Sequence, residues 1–432
     1  MSARNKYLNH SWKIVVNAVL AMVTVFLLSN AGYAQKKNKA AADPNAGLPK
    51  RVNFDISKIV WPNPPAIARI RFVQQFTGEK IDFNAAVNKK NNKPKQTWMD
   101  RLAGTKPVQD QDLNLPFQLI RVYGVGFDSK GNVYAADQGA GAIFIFNPET
   151  KAVEMIRNGH EGHFALIVGL AIDDNDRIFV SDDKLHHVAV ISPKHQTENT
   201  FGAEVLVRPG GIAIDSTNRL LYVVDTGNDV VDVFDADSFK LLRKIGKPSN
   251  KHLASEPGLF SLPTNIAVDK DGSVYVTDTL NDRVEIFDAD GNFISTFGKN
   301  GDGPGYFVRP KGIAVDVDGH IWVVDSAQSR VQVFNNEGRL LIYFGELGGY
   351  PGQFQEPYGI AIDNKTNRVI VSEQYQGRVQ MFRYVTDAEA DKLKQEKEAA
   401  QGAGGATTET PKSVAAKDAS PAPTTTTPPP PK

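Results

Sequence analysis

The stretch Arg309–Gly345, RPKGIAVDVDGHIWVVDSAQSRVQVFNNEGRLLIYFG, contains four short apolar runs separated by clusters of turn-forming residues. Runs rich in Val and Ile that are bounded by Asp, Asn, Ser and Gly are typical of β-strands joined by tight turns. The runs are apolar at almost every position, which predicts an antiparallel sheet that is buried on both faces. One such sheet cannot bury both faces alone and therefore needs a copy of itself on either side.

Five further versions of this unit occur along the chain. Each first run ends in an aspartate, and these aspartates are 42 to 54 positions apart: Asp128, Asp173, Asp215, Asp269, Asp316 and Asp363. A second run follows each first run and ends in an acid: Asp137, Asp182, Asp225, Asp278, Asp325 and Glu373. A period of this length with four strands per unit predicts a β-propeller. The fold class is therefore all-β, with six blades of four antiparallel strands over residues 66–385.

The repeat also has a recognisable consensus. Blade four (Leu262–Gly298) and blade five follow P-x-G-I-A-V-D, a D-G turn, Y-V-A/T-D, N-x-R-V-x-V-F-D and F-x-x-F-G, which resembles the NHL repeat of bacterial exported proteins. Blade one departs from it with Ala140 and Ala142, and blade two with His187 in place of the arginine. The resemblance implies a six-bladed propeller and says far less about function.

The two ends of the propeller region complement each other. Residues 66–78, AIARIRFVQQFTG, resemble a fourth strand that no first strand precedes, whereas the sixth repeat has no fourth strand. We expect Arg69–Phe76 to supply the outer strand of blade six. The ring would then be closed by hydrogen bonds between the chain ends, which leaves no open edge between them.

The remaining segments lie outside the repeats. Residues 1–34 have the basic start, apolar run and small residues of a secretory signal peptide, and the alternative is a membrane anchor over residues 14–28. The polar, Pro-rich stretch 35–65 is interpreted as a linker, and 79–115 as an insertion that covers one end of the central channel. Residues 386–432 predict a charged helix followed by a disordered Thr/Pro/Ala-rich tail.

The composition excludes several classes of function. Lys plus Arg and Asp plus Glu both number 49 among 432 residues, so no basic surplus points to nucleic acid. The chain has no cysteine, which rules out disulfides, thiol catalysis and thiolate metal sites. We expect an exported, periplasmic or extracellular monomer that needs no cofactor. It would contact a membrane only if the signal segment were retained.

Possible metal motifs are weak. The D-x-D-G sequences at 269–272, 288–291 and 316–319 lack the remaining ligands of a calcium loop and are interpreted as hairpin turns. The segment NGHEGH (158–163) has the spacing H-x-x-H and not the H-E-x-x-H of a zinc helix, and its glycines favour a flexible loop over a metal site. The second-strand acids and the third-strand arginines Arg283, Arg330 and Arg378 recur from blade to blade. We interpret them as exposed ion pairs and turn caps worth ~0–1 kcal/mol each.

One repeat position suggests a ligand site. Alignment of the first strands places Arg121, Arg208 and Arg309 at the same position in blades one, three and five, where each enters the innermost strand. Three guanidinium groups converging on a channel mouth would attract a carboxylate, sulfate or phosphate. Tyr123 and Tyr358 follow two positions later in blades one and six. The alternative is that each arginine pairs with a second-strand Asp.

The predicted function is a binding scaffold for a protein, a peptide or an anionic envelope ligand at one face of the channel. The alternative is an enzyme, because related propellers include peptidyl-amidoglycolate lyases and gluconolactonase-like hydrolases. Resemblance to them implies a metal at the channel mouth. Its ligands would have to break the repeat at the first-strand starts, where five blades carry Gly and only Asn265 departs. We therefore predict no catalytic residue and no metal ligand, and keep Asn265 as a candidate contact.

Overall fold

The computed structural model of the chain describes residues 55–79, 117–157, 164–247 and 256–403. The predicted signal segment, nearly all of the insertion, the histidine-containing loop at 158–163 and the tail beyond residue 403 lie outside these ranges. All described residues belong to one compact unit that starts at Asp55.

The described residues form six antiparallel sheets. Two strands precede the first complete blade, β1 (Val60–Trp61) and β2 (Ile70–Phe76). Blade one consists of β3 (Val122–Phe127), β4 (Val133–Asp137), β5 (Ala142–Phe146) and β6 (Val153–Arg157). Blade two consists of β7 (Ile167–Ile172), β8 (Ile178–Asp182), β9 (His187–Ile191) and β10 (Thr197–Phe201). Blade three consists of β11 (Pro209–Asp215), β12 (Leu220–Asp225), β13 (Val230–Asp235) and β14 (Leu241–Ile245).

The remaining blades follow in chain order. Blade four consists of β15 (Pro263–Val268), β16 (Val274–Asp278), β17 (Arg283–Phe287) and β18 (Phe293–Phe297). Blade five consists of β19 (Pro310–Val315), β20 (Ile321–Asp325), β21 (Arg330–Phe334) and β22 (Leu340–Phe344). Blade six contains β23 (Pro357–Asp363), β24 (Arg368–Glu373) and β25 (Arg378–Tyr384). Two short 3₁₀ turns, Ile56–Lys58 and Thr279–Asn281, and helix α1 (Asp387–Ala403) complete the described elements. The six-bladed architecture is confirmed.

The predicted ring closure is confirmed as well. In the sixth sheet the strand order is β1-β2-β25-β24-β23, so β2 pairs with β25 as the fourth strand of blade six. The pairing places Phe72 opposite Phe382 and Phe76 opposite Val379. Phe72 and Phe382 also pack edge to face with their ring centroids 5.7 Å apart. The start and the end of the propeller thus share one sheet and one core.

The predicted linker is shorter than expected. Its last residues include β1, which pairs with β2 as a fifth strand at the outer edge of blade six. Trp61 anchors this strand, because its ring lies 5.3 Å from that of Phe344 and 6.0 Å from that of Phe382. The Pro-rich composition obscured a strand of only two residues, which is held by the buried Val60 and the partly buried Trp61 ring.

The cores lie between neighbouring blades, as the apolar runs predict. The second strands of all blades are buried along nearly their whole length, whereas outer strands such as β18 are mostly exposed. The largest cluster joins blades five and six and includes Trp322, Phe344, Phe354 and Phe382. Each sheet therefore contributes one face to each of two adjacent cores.

The first strands approach one another so closely that glycine is required at the centre. A Cβ atom on Gly359 would lie 2.3 Å from the carbonyl oxygen of Tyr123 in the next blade, and one on Gly312 would lie 2.4 Å from that of Tyr358. A bulge interrupts the pairing of the first and second strands at this level in every blade. The glycines at these positions, where a metal ligand would have to lie, are contacts between blades.

The recurring second-strand acids cap the following turn in four blades, as predicted, but they are not exposed. They are fully or almost fully buried, and in every blade they accept hydrogen bonds from backbone N–H groups of the segment that enters the first strand. Arg283 and Arg378 pair with the acids of their own blades, Asp278 and Glu373, at 3.0 and 2.6 Å. Arg330 instead donates to the carbonyl oxygens of Asp302 and Gly303. The predicted contribution of ~0–1 kcal/mol for each pair is therefore too small, because loss of a buried acceptor leaves its donors unsatisfied.

One buried position of the third strand carries an acid in blade four and glutamine in blades five and six. Gln332 accepts from the Gly305 N–H and donates to the Tyr306 carbonyl oxygen, and Gln380 makes the same two kinds of contact in blade six. Blade four carries Glu285 there, and its carboxylate accepts from the Gly258 N–H. Burial outweighs the attraction of Arg283 and raises the pKa of Glu285 to about 7.

Glu285→Gln is expected to stabilise the protein above pH 7. The raised pKa means that the stability contributed by protonated Glu285 is complete below its unfolded pKa of about 4.3 and is lost as the pH rises through 7. The variant should therefore show a flatter curve of unfolding free energy between pH 4.5 and 8 in urea titrations. Gln332→Glu in blade five is the reciprocal variant and should lose stability over this interval. Parallel curves for the wild type and both variants would contradict this explanation.

Helix α1 begins with the predicted capping box. The Thr386 hydroxyl accepts from the Glu389 N–H, and the Glu389 carboxylate accepts from the Thr386 N–H. Most of its described side chains are exposed, and Ala390 is buried. No helix in the described part of the chain has the length and apolar character that a membrane span requires.

Candidate functional site: the channel mouth

A pocket of about 480 Å³ lies on the propeller axis, at the end where the first strands begin and the second strands finish. We call it the mouth pocket. Every blade contributes to its lining, which shows that it is the opening of the central channel. Its charged and aromatic lining residues are Tyr123, Asp183, Arg208, Arg309, Lys311, Glu356 and Tyr358.

Four of the six predicted contact residues line this pocket: Tyr123, Arg208, Arg309 and Tyr358. The rings of Tyr123 and Tyr358 lie against each other, with centroids 4.5 Å apart, and form an aromatic wall. Arg121 is not part of the lining but lies near Tyr123, where its charge opposes the rise in the pKa of Tyr123 caused by burial. Asn265 also lies outside the lining and is close to Tyr358. Ligand binding by these residues stays a prediction.

The arginines do not pair with the second-strand acids. Asp225 and Asp325 accept from the backbone N–H groups of Arg208 and Arg309, so the carboxylates fix the backbone and leave the guanidinium groups directed elsewhere. Arg208 forms an exposed ion pair with Asp183 at 3.4 Å. Among the described residues, none forms a hydrogen bond or an ion pair with the Arg309 side chain. The repeat explains where the arginine backbones lie but not what their side chains bind.

Sequence reasoning missed a fourth cation, Lys311. It occupies the position two residues after Arg309, where the other blades have Tyr123, Val168, Gly210, Thr264 and Tyr358. Its ammonium group lies 5.8 Å from the centre of the Tyr358 ring, and no described carboxylate or carbonyl accepts a hydrogen bond from it. Burial, with a smaller effect of Arg309, lowers the pKa of Lys311 to about 8. A search for charged residues that break the repeat would have found it.

The mouth pocket is more positive than negative. Arg208, Arg309 and Lys311 contribute three positive charges, against the two carboxylates of Asp183 and Glu356. One of those carboxylates is already paired with Arg208. In a concave site, an unpaired cation attracts anions more strongly than it does on an open surface. The arrangement favours an anionic ligand.

A cluster of possible metal ligands lies at the other end of the strands. Asp316, Asp318 and His320 occupy the predicted hairpin turn between β19 and β20. Their atoms are already used, because Asp316 accepts from the Trp322 indole and Asp318 accepts from the Tyr384 hydroxyl and the Asp387 N–H. Asp316 also raises the pKa of His320. We interpret the cluster as the contact that fixes α1 against blade five.

The described residues of the mouth do not fit a metal ion. Five of the six first-strand starts are glycines held in contact with neighbouring blades, with no room for a ligating side chain, and the sixth, Asn265, lies outside the pocket lining. The mouth pocket offers two carboxylates and no histidine among its described lining, and it places three cations where a metal would lie. Such a donor set repels a divalent ion.

Comparisons with known proteins agree with this fold. Residues 255–320 match the model of a family described as a 6-bladed beta-propeller, and residues 307–334 match that of the NHL repeat. A probable peptidyl-alpha-hydroxyglycine alpha-amidating lyase of Caenorhabditis elegans is 32% identical over 109 residues, which is 25% of this chain. The match spans only 30% of that relative's length.

Solved structures with the same architecture are distant in sequence. A protein of unknown function from Bacteroides thetaiotaomicron has a TM-score of 0.51 at 17% identity, over 61% of this chain and 70% of that one. A gluconolactonase of Xanthomonas campestris has a TM-score of 0.48 at 15% identity, over 62% of this chain and 89% of that one. These likenesses concern the fold alone. The chain is therefore a six-bladed β-propeller in which the repeat at residues 307–334 matches the NHL repeat.

Proposed function

We propose that the protein is a binding scaffold that takes an anionic group of a protein, peptide or envelope ligand into the mouth pocket. The observation that carries this proposal is the gathering of Arg208, Arg309 and Lys311 around one pocket while the recurring acids are occupied by backbone N–H groups. Arg309 can bind a carboxylate or a phosphate through two parallel hydrogen bonds. Lys311 adds a deeper charge beside the aromatic wall.

The surface beside the pocket suits a polypeptide. Ile120, Leu347, Tyr350 and Tyr375 are 58, 73, 55 and 75% exposed on the same face. They lie in adjoining segments, because Gly349 is next to the side chain of Gln376 and Gly377 is next to the backbone of Ile120. Exposed apolar residues that lie together mark interaction surfaces. A partner could therefore cover this apolar surface while its anionic group enters the pocket.

The proposal predicts a specific loss of anion binding. In calorimetric titrations with lactate at constant ionic strength, the wild type should bind with saturation, and the R208Q/R309Q/K311M variant should lose at least tenfold in affinity because its pocket has no cation left. The variant changes Lys311 and leaves Arg121 intact, because Lys311 lines the pocket and Arg121 does not.

Lys299→Met is the matched control. Lys299 lies in a loop on the same face, over the Tyr306 ring, and does not line the pocket. This variant should bind lactate as the wild type does. Equal binding by all three proteins, or equal loss in the control, would contradict the proposed site.

Anion binding should weaken as the pH rises through about 8. The lowered pKa of Lys311 means that its charge is complete at pH 6.5 and largely gone at pH 9.5. Bound anion favours the charged amine, so the midpoint of the loss should lie at or above 8. Titrations of wild type and Lys311→Arg across this interval test the assignment, because arginine stays charged. A pH-dependent loss that persists in Lys311→Arg would assign the titrating group to another residue.

We also propose that the protein acts outside the cytoplasm. The support is the signal-like pattern of residues 1–34, which lie outside the described ranges.

A second candidate function is that of a lyase, which the identity with the Caenorhabditis elegans protein favours. Resemblance to such lyases implies a metal ion at the channel mouth, and the described lining residues there do not fit one. Elemental analysis of dialysed protein and an assay with a peptidyl-alpha-hydroxyglycine distinguish the two functions. Stoichiometric zinc together with cleavage of that peptide would replace the binding proposal.

A further inference from the structure

We infer that Lys311 is a nucleophilic amine that forms a reversible imine with a ligand whose carboxylate carries an adjacent aldehyde or ketone carbonyl. This inference rests on the proposed function, because the ligand's carboxylate would occupy the same pocket. It goes further by assigning a covalent step and a chemical class, the 2-oxo acids.

The position of Lys311 differs from that of an ordinary surface lysine. It lies on β19 at the mouth, between Arg309 and the contact glycine Gly312, and its side chain lines the pocket beside Tyr358. The ion pairs and hydrogen bonds of the described residues include none from its amine. A lysine without a carboxylate partner is not held in the charged form, which is the form that cannot act as a nucleophile.

The protonation equilibrium supports this geometry. Burial is the larger cause of the lowered pKa of Lys311 and the neighbouring Arg309 charge is the smaller one. With a pKa of about 8, roughly a tenth of the amine is neutral at pH 7, against well under a thousandth for an ordinary lysine. Desolvation together with a second cation is an established way to make a lysine nucleophilic.

The neighbouring residues can position a 2-oxo acid. The Arg309 guanidinium can hold the carboxylate, which directs the adjacent carbonyl carbon toward the Lys311 amine. Tyr123 lines the same pocket, and burial raises the pKa of its hydroxyl, which stays protonated and can donate a hydrogen bond to the carbonyl oxygen. Arg309 and Tyr123 would thus hold the ligand so that its carbonyl carbon faces the Lys311 amine.

The step balances without another reactant. The nitrogen lone pair forms a bond to the carbonyl carbon, and the π pair of the C=O bond moves to the oxygen. One proton moves from nitrogen to oxygen, which gives a neutral carbinolamine. The hydroxyl group then leaves with the remaining N–H proton as water while the nitrogen lone pair forms the C=N bond, and addition of water reverses each step. The protein therefore needs no oxidant, reductant or metal to form the imine.

Reductive trapping tests the inference. Full-length protein would be incubated at pH 7 with pyruvate and sodium cyanoborohydride, which reduces an imine to a stable secondary amine, and then analysed by intact mass and peptide mapping. We expect one equivalent of label at Lys311. Lys311→Arg should lose this label, Lys299→Met should keep it, and Arg309→Gln should need at least tenfold more pyruvate for half-maximal labelling.

Lactate separates the inference from the proposed function. Lactate has the carboxylate of pyruvate but no carbonyl group, so it reports the anion site without the covalent step. Label that is spread over surface lysines, or that is equal in Lys311→Arg, overturns the imine whatever lactate does. If lactate binds the wild type and pyruvate leaves no label at Lys311, the imine is wrong and the anion site stands. If lactate does not bind, the proposed function fails.

Discussion

Deletion of residues 66–78 is expected to abolish cooperative unfolding of the propeller, whereas deletion of 386–432 should leave it folded. The first deletion removes β2, so that blade six keeps three of its own strands and the backbone of β25 becomes an open edge. It also removes Ile70, Phe72 and Phe76, whose exposed fractions are 0, 7 and 6%. The second deletion removes a mostly exposed helix.

The two deletions differ in how much buried apolar surface they remove. Burial of three large apolar side chains contributes roughly 5–9 kcal/mol, which is comparable with the total stability of an ordinary domain. The deletion of 386–432 should cost far less. The described part of this segment contributes only the buried Ala390 side chain and a few polar contacts to the propeller. Thermal unfolding followed by circular dichroism measures both. Equal melting temperatures for the two deletions would contradict closure of the ring by β2.

Substitution of Gly359 by valine is expected to have the second largest effect. Even a methyl group at this position would lie 2.3 Å from the Tyr123 carbonyl oxygen, and that oxygen already accepts a hydrogen bond from the Ser372 hydroxyl at 2.7 Å. The clash is with backbone of the neighbouring blade, so it cannot be relieved by a side-chain rotation. We expect a loss above the 1–3 kcal/mol that is usual for overpacking, with alanine intermediate between glycine and valine.

Gly303→Ala is the matched control for this substitution. Gly303 lies in a loop, and a Cβ atom there would find its nearest neighbour, an atom of the Tyr306 ring, at 3.5 Å. Its effect on the free energy of unfolding should stay within about 0.5 kcal/mol, as for an ordinary surface substitution. If urea titrations show that Gly359→Val is no less stable than Gly303→Ala, the first strands are not in the close contact described.

The fold was predictable because its signal is periodic. Six runs that end at Asp128 and its equivalents fix the blade count, and the unpaired run before Gly78 identifies the strand that closes the ring. Strand β1 was not predictable, because two residues in a Pro-rich context give no periodicity and depend on where Trp61 packs. Burial of the second-strand acids was missed for a related reason. Their partners are backbone N–H groups, which have no signature in the sequence.

The site was predictable only in part. Alignment of the repeats placed Arg208 and Arg309 at one level of the channel, and the structure brings them to the same pocket. Lys311 was not predictable from a recurring residue type, because no other blade carries a cation at its position. A residue with a special role breaks the repeat at a single position. Asn265 does break it, but lies outside the pocket lining, so departure from the consensus identifies candidates and geometry selects among them.

The most direct test of the central claim is to locate an anion in the protein itself. Crystals grown in selenate, at a concentration near its dissociation constant, would be measured at the selenium absorption edge. The strongest anomalous peak should lie in the mouth pocket, within hydrogen-bond distance of the Arg309 guanidinium or the Lys311 amine. This peak should be absent from crystals of R208Q/R309Q/K311M. Selenate peaks elsewhere on the protein with none in the mouth pocket would contradict the assignment of the mouth as an anion site.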